Sequence, residues 1–192
     1  MLTVHRSSTP LSFEALFDAP ALRLTLDWFR APLETPLEIH LAADADRVWF
    51  GAGCAAPPRC APALCGEFVE GLWERDVVEI FFGEANSTRY QEFNVSPRGA
   101  WWTMAFSQYR TRMTTKPMPG IRCHSAVVGE AWRAAIAIPL RELTISWSCE
   151  AGSLNAAAIQ GSPQRFATAA DLGGGEPDFH RAERFPRALL AG

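Results

Sequence analysis

The sequence predicts an all-β chain, an antiparallel β-sandwich of jelly-roll or immunoglobulin-like type with about ten strands. Short runs rich in β-branched, aromatic and leucine residues recur along it, separated by Pro, Gly, Asn and Asp breaks. Within the runs apolar and polar residues alternate with period two, the pattern of strands with one buried face. No stretch holds the i, i+3, i+4 spacing long enough for a substantial helix. With 192 residues and no internal repeat or low-complexity tract, one domain over 1–192 is expected. A closed barrel is the other all-β arrangement this pattern allows.

Taken in order, residues 1–5 can form a short edge strand, and SSTPLSFEALFDAP reads as a connection. In ALRLTLDWFR, Leu22, Leu24, Leu26 and Trp28 point one way and Arg23, Thr25 and Asp27 the other, a half-buried strand. PLEIHLAA alternates Leu37, Ile39 and Leu41 against Glu38 and His40, and a turn at Asp44–Arg47 leads into RVWFGAG. The stretch from Gly51 to Gly71 is long for a loop in a compact domain; it is expected to face solvent, to be mobile and to form one wall of a site. LWERDVVEIFFG, RYQEFNVSP and RGAWWTMAFSQYR form a three-strand meander, followed by a polar crossing, RTRMTTKPMPG. IRCHSAVVGE and AWRAAIAIP pair as a hairpin turning near Gly129-Glu130. PLRELTI holds one helical turn, SLNAAAIQGS and RFATAAD are the last long strands, and the C-terminal end supplies a closing strand. Trp28, Trp132 and Trp147 are assigned to packing.

Composition narrows the function classes. A net charge of -3 and a pI near 5.8 argue against a nucleic-acid partner, which needs a clustered basic surface. No apolar run approaches about 18 residues, so no membrane span is expected. The segment MLTVHRSSTPLSFEALFDAP lacks a basic patch followed by an apolar stretch; without a secretory signal, cytoplasmic is the default location. Five cysteines cannot all pair, and Cys54, Cys60 and Cys65 have five and four intervening residues, which is not zinc-knuckle spacing. Free thiols are expected. With no Asp/Asn-rich loop for calcium and no CxxCH motif for covalent haem, neither a metal nor a cofactor is assigned.

The meander carries the chemistry. Alternation puts Asp76, Val78, Ile80 and Phe82 on one face of its first strand and Val77, Glu79 and Phe81 on the other. On the second strand Tyr90, Glu92 and Asn94 form a row opposite Gln91, Phe93 and Val95. Carboxyl and amide groups beside aromatic rings suit a polyhydroxyl ligand, whose hydroxyls take the polar groups while its C–H faces take the rings. A solvated sheet face is the alternative reading of Glu92 and Asn94. The adjacent Trp101 and Trp102 must point to opposite faces, one of them core.

The segment from Trp73 to Pro97, above all LWERDVVEIFFG followed by RYQEFNVSPRGAWW, resembles the central signature of family 9 carbohydrate-binding modules and the wider DOMON-like superfamily. PDFHRAERFPRALLA is similar to the ends of small bacterial DOMON-like proteins, and the likeness runs from about Leu22 to the C-terminus. The resemblance implies a β-sandwich that holds a sugar between two tryptophans, with charged and amide side chains on its hydroxyls. It maps Trp73 onto one sandwich tryptophan and Glu79 onto a sugar-binding glutamate. The position of the second tryptophan falls in GGGEPDFHRAERF, which offers Phe179 and His180 instead.

The expected function is therefore a non-catalytic module for a small-molecule ligand, with carbohydrate the favoured class. Its site residues are Trp73, Glu79, Tyr90, Glu92, Asn94, Phe179 and His180. Two alternatives stand beside it. A haem or electron-transfer module of the DOMON type would draw axial ligands from Met104, Met113, Met118, His124 and His180. A glycoside-active enzyme would use Asp76, Glu79 and Glu92 as acid/base carboxylates.

Overall fold

The computed structural model describes residues 2–115 and 118–191. Met1 of the expected first strand, Lys116-Pro117 of the polar crossing and Gly192 lie outside the described residues. Among the described residues, thirteen strands form two sheets. The first sheet contains β1 (Thr3–Arg6), β2 (Leu22–Leu26), β3 (Pro32–Ala43), β4 (Arg47–Cys54), β9 (Arg122–Val128), β10 (Ala131–Pro139) and β13 (Leu189–Ala191). They run in the order β13-β1-β3-β4-β10-β9, with β2 also paired to β3. The second sheet contains β5 (Val77–Gly83), β6 (Tyr90–Val95), β7 (Trp101–Gln108), β8 (Thr111–Arg112), β11 (Ser153–Gln160) and β12 (Arg165–Thr168), in the order β12-β11-β5-β6-β7-β8. Two sheets with separate edges make a sandwich, not a closed barrel.

The main core lies between the sheets and follows the alternation. Leu37, Ile39 and Leu41 of β3 and Ile136 and Ile138 of β10 meet Val78, Ile80 and Phe82 of β5 and Phe93 of β6. One turn that begins this sheet is held by a single carboxylate: Asp44 accepts from the backbone N–H groups of Asp46 and Arg47 at 3.0 and 2.9 Å and from the Trp49 indole at 2.9 Å.

Several elements differ from the expectation. β1 is not an edge strand: it lies between β3 and β13, parallel to both, so the sandwich is not antiparallel throughout. SSTPLSFEALFDAP contains a short helix, α1 (Phe13–Asp18), capped by the Ser12 hydroxyl, which accepts from Ala15 N–H at 3.2 Å. Leu16 and Phe17 settle over Gly51 on the outer face of the first sheet, where a Cβ would come within 2.9 Å of the Leu16 side chain and 3.1 Å of the Phe17 ring, so glycine leaves both side chains room. In β2 the register shifts between Leu24 and Leu26, leaving Leu24 buried and Leu26 41% exposed instead of in the core.

The expected mobile loop is shorter and better anchored than alternation suggested. Its first four residues complete β4, and the remainder lies across the far face of the second sheet. Asp76 ties its start, accepting from Arg59 N–H at 2.8 Å and Gly161 N–H at 2.9 Å. Further along, Val69 N–H donates to Trp101 O and Trp101 N–H donates to Glu67 O, each at 2.9 Å, and Ala63 and Leu72 are buried. Together with the segment from Ala170 to Phe185, this loop builds a second apolar cluster on the side of the second sheet that faces away from the first. That covered outer face holds the candidate site.

Candidate functional site

On this outer face the second sheet presents every other residue of its strands. Glu79 stands opposite Asn94 and opposite Ala157, while Phe81 stands opposite Glu92. Glu79 and Glu92 are therefore diagonal neighbours on adjacent strands, a separation that long side chains readily bridge. Trp102 lies opposite Asn94 and Met104 opposite Glu92 on β7, extending the same rows.

Above these rows is a cavity of about 280 Å³. Glu79, Glu92 and Ile159 line it from the sheet, with Trp102 and Phe106 of β7 beside them. Trp73 comes from the 3-10 turn Leu72–Glu74, entered through Gly71 at φ 88, a left-handed conformation that glycine adopts without strain. Its ring meets Trp102 edge to face, with centroids 5.0 Å apart. The opposite wall is Phe166, Pro177, Phe179 and His180. Arg110 and Arg112, carried past the end of β7, close the remaining side.

The polar groups differ sharply in how well they are satisfied. Asp178 accepts from Tyr109 Oη at 2.9 Å, Arg110 Nη2 at 3.0 Å and His180 N–H at 3.2 Å, so its pKa stays low despite partial burial. Arg112 is bound to Glu70 at 2.8 Å and covers the Trp102 ring at 5.5 Å. Tyr90 Oη accepts from Arg110 N–H at 3.0 Å and meets His180 Nδ1 at 2.9 Å. The Tyr90 hydroxyl can donate to Nδ1, and in that tautomer the neutral imidazole carries its own proton on Nε2, toward Glu92. Burial, aided by the Arg110 charge, lowers the His180 pKa to about 4.

The two glutamates are the opposite case. Glu79 is 4% exposed, and among the described residues no group donates a hydrogen bond to it and no cation pairs with it. Burial first, and the neighbouring Glu92 charge second, push its pKa well above the usual carboxylate range. Burial raises Glu92 to about 7, against the opposing pull of Asn94, Arg110 and Arg112. Its nearest cationic candidate is His180 Nε2 at 3.8 Å. That distance suggests an ion pair, but a neutral His180 beside a carboxyl near half protonation makes it a polar contact between largely uncharged groups. Asn94 is fully buried and its amide, turned toward Glu92, lowers the Glu92 pKa, yet among the described residues neither of its amide atoms completes a hydrogen bond within 3.5 Å.

Of the residues the sequence nominated, the structure brings Trp73, Glu79, Glu92, Phe179 and His180 together on one cavity. Two placements need correction. Tyr90 does not reach the cavity, because Phe106 stacks on it at 4.7 Å and its hydroxyl is used behind the wall; it orients His180 instead. Asn94 is covered as well, lying opposite Trp102. Asp76 points away and holds the Arg59 loop. The haem candidates scatter: His124 stacks on Phe13 outside the first sheet, and Met118 is in the main core. Sequence reading placed Trp101 and Trp102 on opposite faces without deciding which was core, and it missed Phe106, Phe166, Arg110 and Arg112. Trp102 and Phe106 were findable once Glu92 fixes the face, because they alternate with the core residues Trp101 and Ala105. The arginines sit past a turn where Arg110 takes φ 50, and period-two reasoning does not extend through it.

No family model matches the sequence, and no curated protein matches it. Solved structures do. A candidate carbohydrate-binding protein from Bacteroides uniformis aligns over 99% of this chain and 98% of its own, with 16% identity and a TM-score of 0.79. A family 9 carbohydrate-binding module from Caldicellulosiruptor kristjanssonii, in complex with cellotriose, covers 100% of this chain at 12% identity and TM-score 0.66, with 93% of its own length aligned. The chain has the fold of the family 9 carbohydrate-binding modules. A second structure from that organism, with glucose, agrees at TM-score 0.65, 12% identity and coverage of 99% of this chain and 96% of its own. The family 9 fold is common to these proteins at identities far too low to transfer a site residue by residue.

Proposed function

We propose that this chain is a non-catalytic carbohydrate-binding module whose ligand occupies the cavity between Trp73 and Phe179. The observation that carries the reading is the pairing of aromatic walls with two buried carboxyls, Glu79 with no hydrogen-bond donor among the described residues and Glu92 with His180 Nε2 no closer than 3.8 Å. Rings offer flat apolar faces to the C–H faces of a sugar, and unpartnered carboxyls offer acceptors for its hydroxyls. A volume of about 280 Å³ suits one sugar ring, not a chain of them. The similar structures captured with cellotriose and glucose support the same ligand class.

The other readings fit the geometry less well. Glycoside hydrolysis sets its two carboxyls across the scissile bond; Glu79 and Glu92 rise side by side from adjacent strands, and Asp76 is occupied elsewhere. A haem macrocycle is larger than the cavity, and His180 presents Nε2 to Glu92 with no methionine on the opposite wall. Calorimetric titration with mono- and oligosaccharides tests the proposal. Trp73→Ala should remove one stacking face and weaken binding by about 1–3 kcal/mol, roughly five- to 150-fold. Absence of binding to any sugar at millimolar concentration, or affinity untouched by Trp73→Ala, would contradict it.

A further inference from the structure

We infer that the ring bound in this cavity carries a cationic nitrogen, so that the ligand class is an amino sugar held with its ammonium on the Glu79–Glu92 floor. The inference rests on the carbohydrate reading and sharpens it.

The charges facing the floor decide the sign. Arg110 reaches in from the β7–β8 turn but is held by Asp178 at 3.0 Å, and Arg112 from β8 is held by Glu70 at 2.8 Å. Arg110 shares Asp178 with Arg181, whose Nε lies 3.6 Å from the other carboxylate oxygen, and Arg112 has Glu70, so both guanidiniums that line the cavity are engaged by an acid outside the floor. His180, from the late loop, is kept neutral by burial and by the Arg110 charge, with its Nδ1 engaged by the Tyr90 hydroxyl at 2.9 Å. From β6, Asn94 contributes a buried amide that completes no hydrogen bond among the described residues, and from β11 the facing residue is Ala157. What remains unmatched is the pair of glutamates. The two carboxyls are diagonal neighbours on adjacent strands and line the same cavity, and both are pushed toward the protonated form, so a cation placed between them would be favoured.

A neutral sugar supplies hydroxyl donors to this floor but no charge. An ammonium supplies donors and a positive charge, and on binding it drives carboxyl protons out to solvent. The walls favour the same occupant. Trp73, Phe106, Phe166 and Phe179 turn aromatic surface toward the cavity, and a cation near ring faces is attracted by their quadrupoles. A metal ion is a poorer candidate: among the described residues no group of three or more His, Cys, Asp or Glu is arranged to hold one. An acidic sugar would have to displace Asp178 or Glu70 from its arginine and would set a third carboxylate beside the other two.

Calorimetric titration at pH 7 with glucose, glucosamine and glucuronate separates these cases. Glucosamine should bind at least tenfold more tightly than glucose and release protons, read as a dependence of the heat on buffer ionisation enthalpy. Glu79→Gln and Glu92→Gln should each bring the glucosamine-to-glucose ratio close to one, with glucosamine affinity falling much further than glucose affinity. Glucose binding as tightly as glucosamine, or glucuronate binding best, would overturn the amine assignment and leave the carbohydrate reading in place. Failure of all three sugars, with failure of a wider neutral panel, would remove both.

Discussion

Replacing Glu92 by Gln should stabilise the empty protein at high pH. Folding raises the Glu92 carboxyl from 4.5 to about 7, chiefly by burial. A carboxyl whose pKa is raised by folding favours the fold fully below its unfolded pKa, and that contribution is lost as pH rises through the folded value. Each pKa unit is worth about 1.4 kcal/mol, so ionising Glu92 costs the fold about 3 kcal/mol by pH 8. Glu79 adds to the same trend, because its own pKa is pushed up by burial and by the Glu92 charge. His180 works in the opposite sense: its folded pKa of about 4 lies below the unfolded 6.5, so its contribution is present above 6.5 and fades as pH falls through 4. That contribution is common to wild type and variant and cancels in their difference. Urea unfolding of both proteins at pH 4.5, 6 and 8 measures the effect. Glu92→Gln should gain about 2–3 kcal/mol on wild type between pH 4.5 and pH 8, whatever constant offset the buried amide adds. Parallel pH profiles would refute the claim that the floor carboxyls ionise against burial.

Tyr90→Phe deletes a hydroxyl that serves both Arg110 N–H and His180 Nδ1, and should cost about 1–3 kcal/mol of stability by urea unfolding. In the same variant the ¹⁵N shifts of the His180 ring should lose the pure Nε2–H tautomer pattern expected of wild type. Asp178→Ala releases Tyr109, Arg110 and the His180 backbone together, so the cavity wall should loosen and sugar affinity should fall along with stability. An Asp178→Ala protein with wild-type affinity would show that the late loop does not shape the site.

The parts of this fold legible in the sequence are those governed by local alternation. The faces of β5 and β6 follow from the spacing of Val78, Ile80 and Phe82 against Glu79 and Phe81, since one residue of slip would bury Glu79 in the inter-sheet core. Elements set by distant partners were not legible. β1 takes its parallel place only because β3 and β13, far apart in sequence, leave a gap for it. Leu26 belongs to the leucine period yet is turned outward by a register shift, and α1, capped by Ser12, rests its Leu16 on the sheet at Gly51. In the site, the carboxyl pair could be read from the strands themselves. The roof could not, because it depends on how two irregular segments fold over the sheet. Trp28 shows the limit: its indole donates to Gly175 O at 2.7 Å and its ring lies 6.0 Å from Phe179, so it braces the late loop through a contact 147 residues away.

The central claim is that ligand binds on the outer face of the second sheet, over Glu79 and Glu92. Amide and indole ¹H–¹⁵N spectra recorded through a titration with glucosamine and glucose test this most directly. The account expects the largest shifts at the Trp73 and Trp102 indole N–H groups and at the backbone of Glu79, Glu92, Arg110 and Phe179–His180. Shifts confined to the first sheet around α1 and Trp49, or spread evenly over the surface, would contradict it.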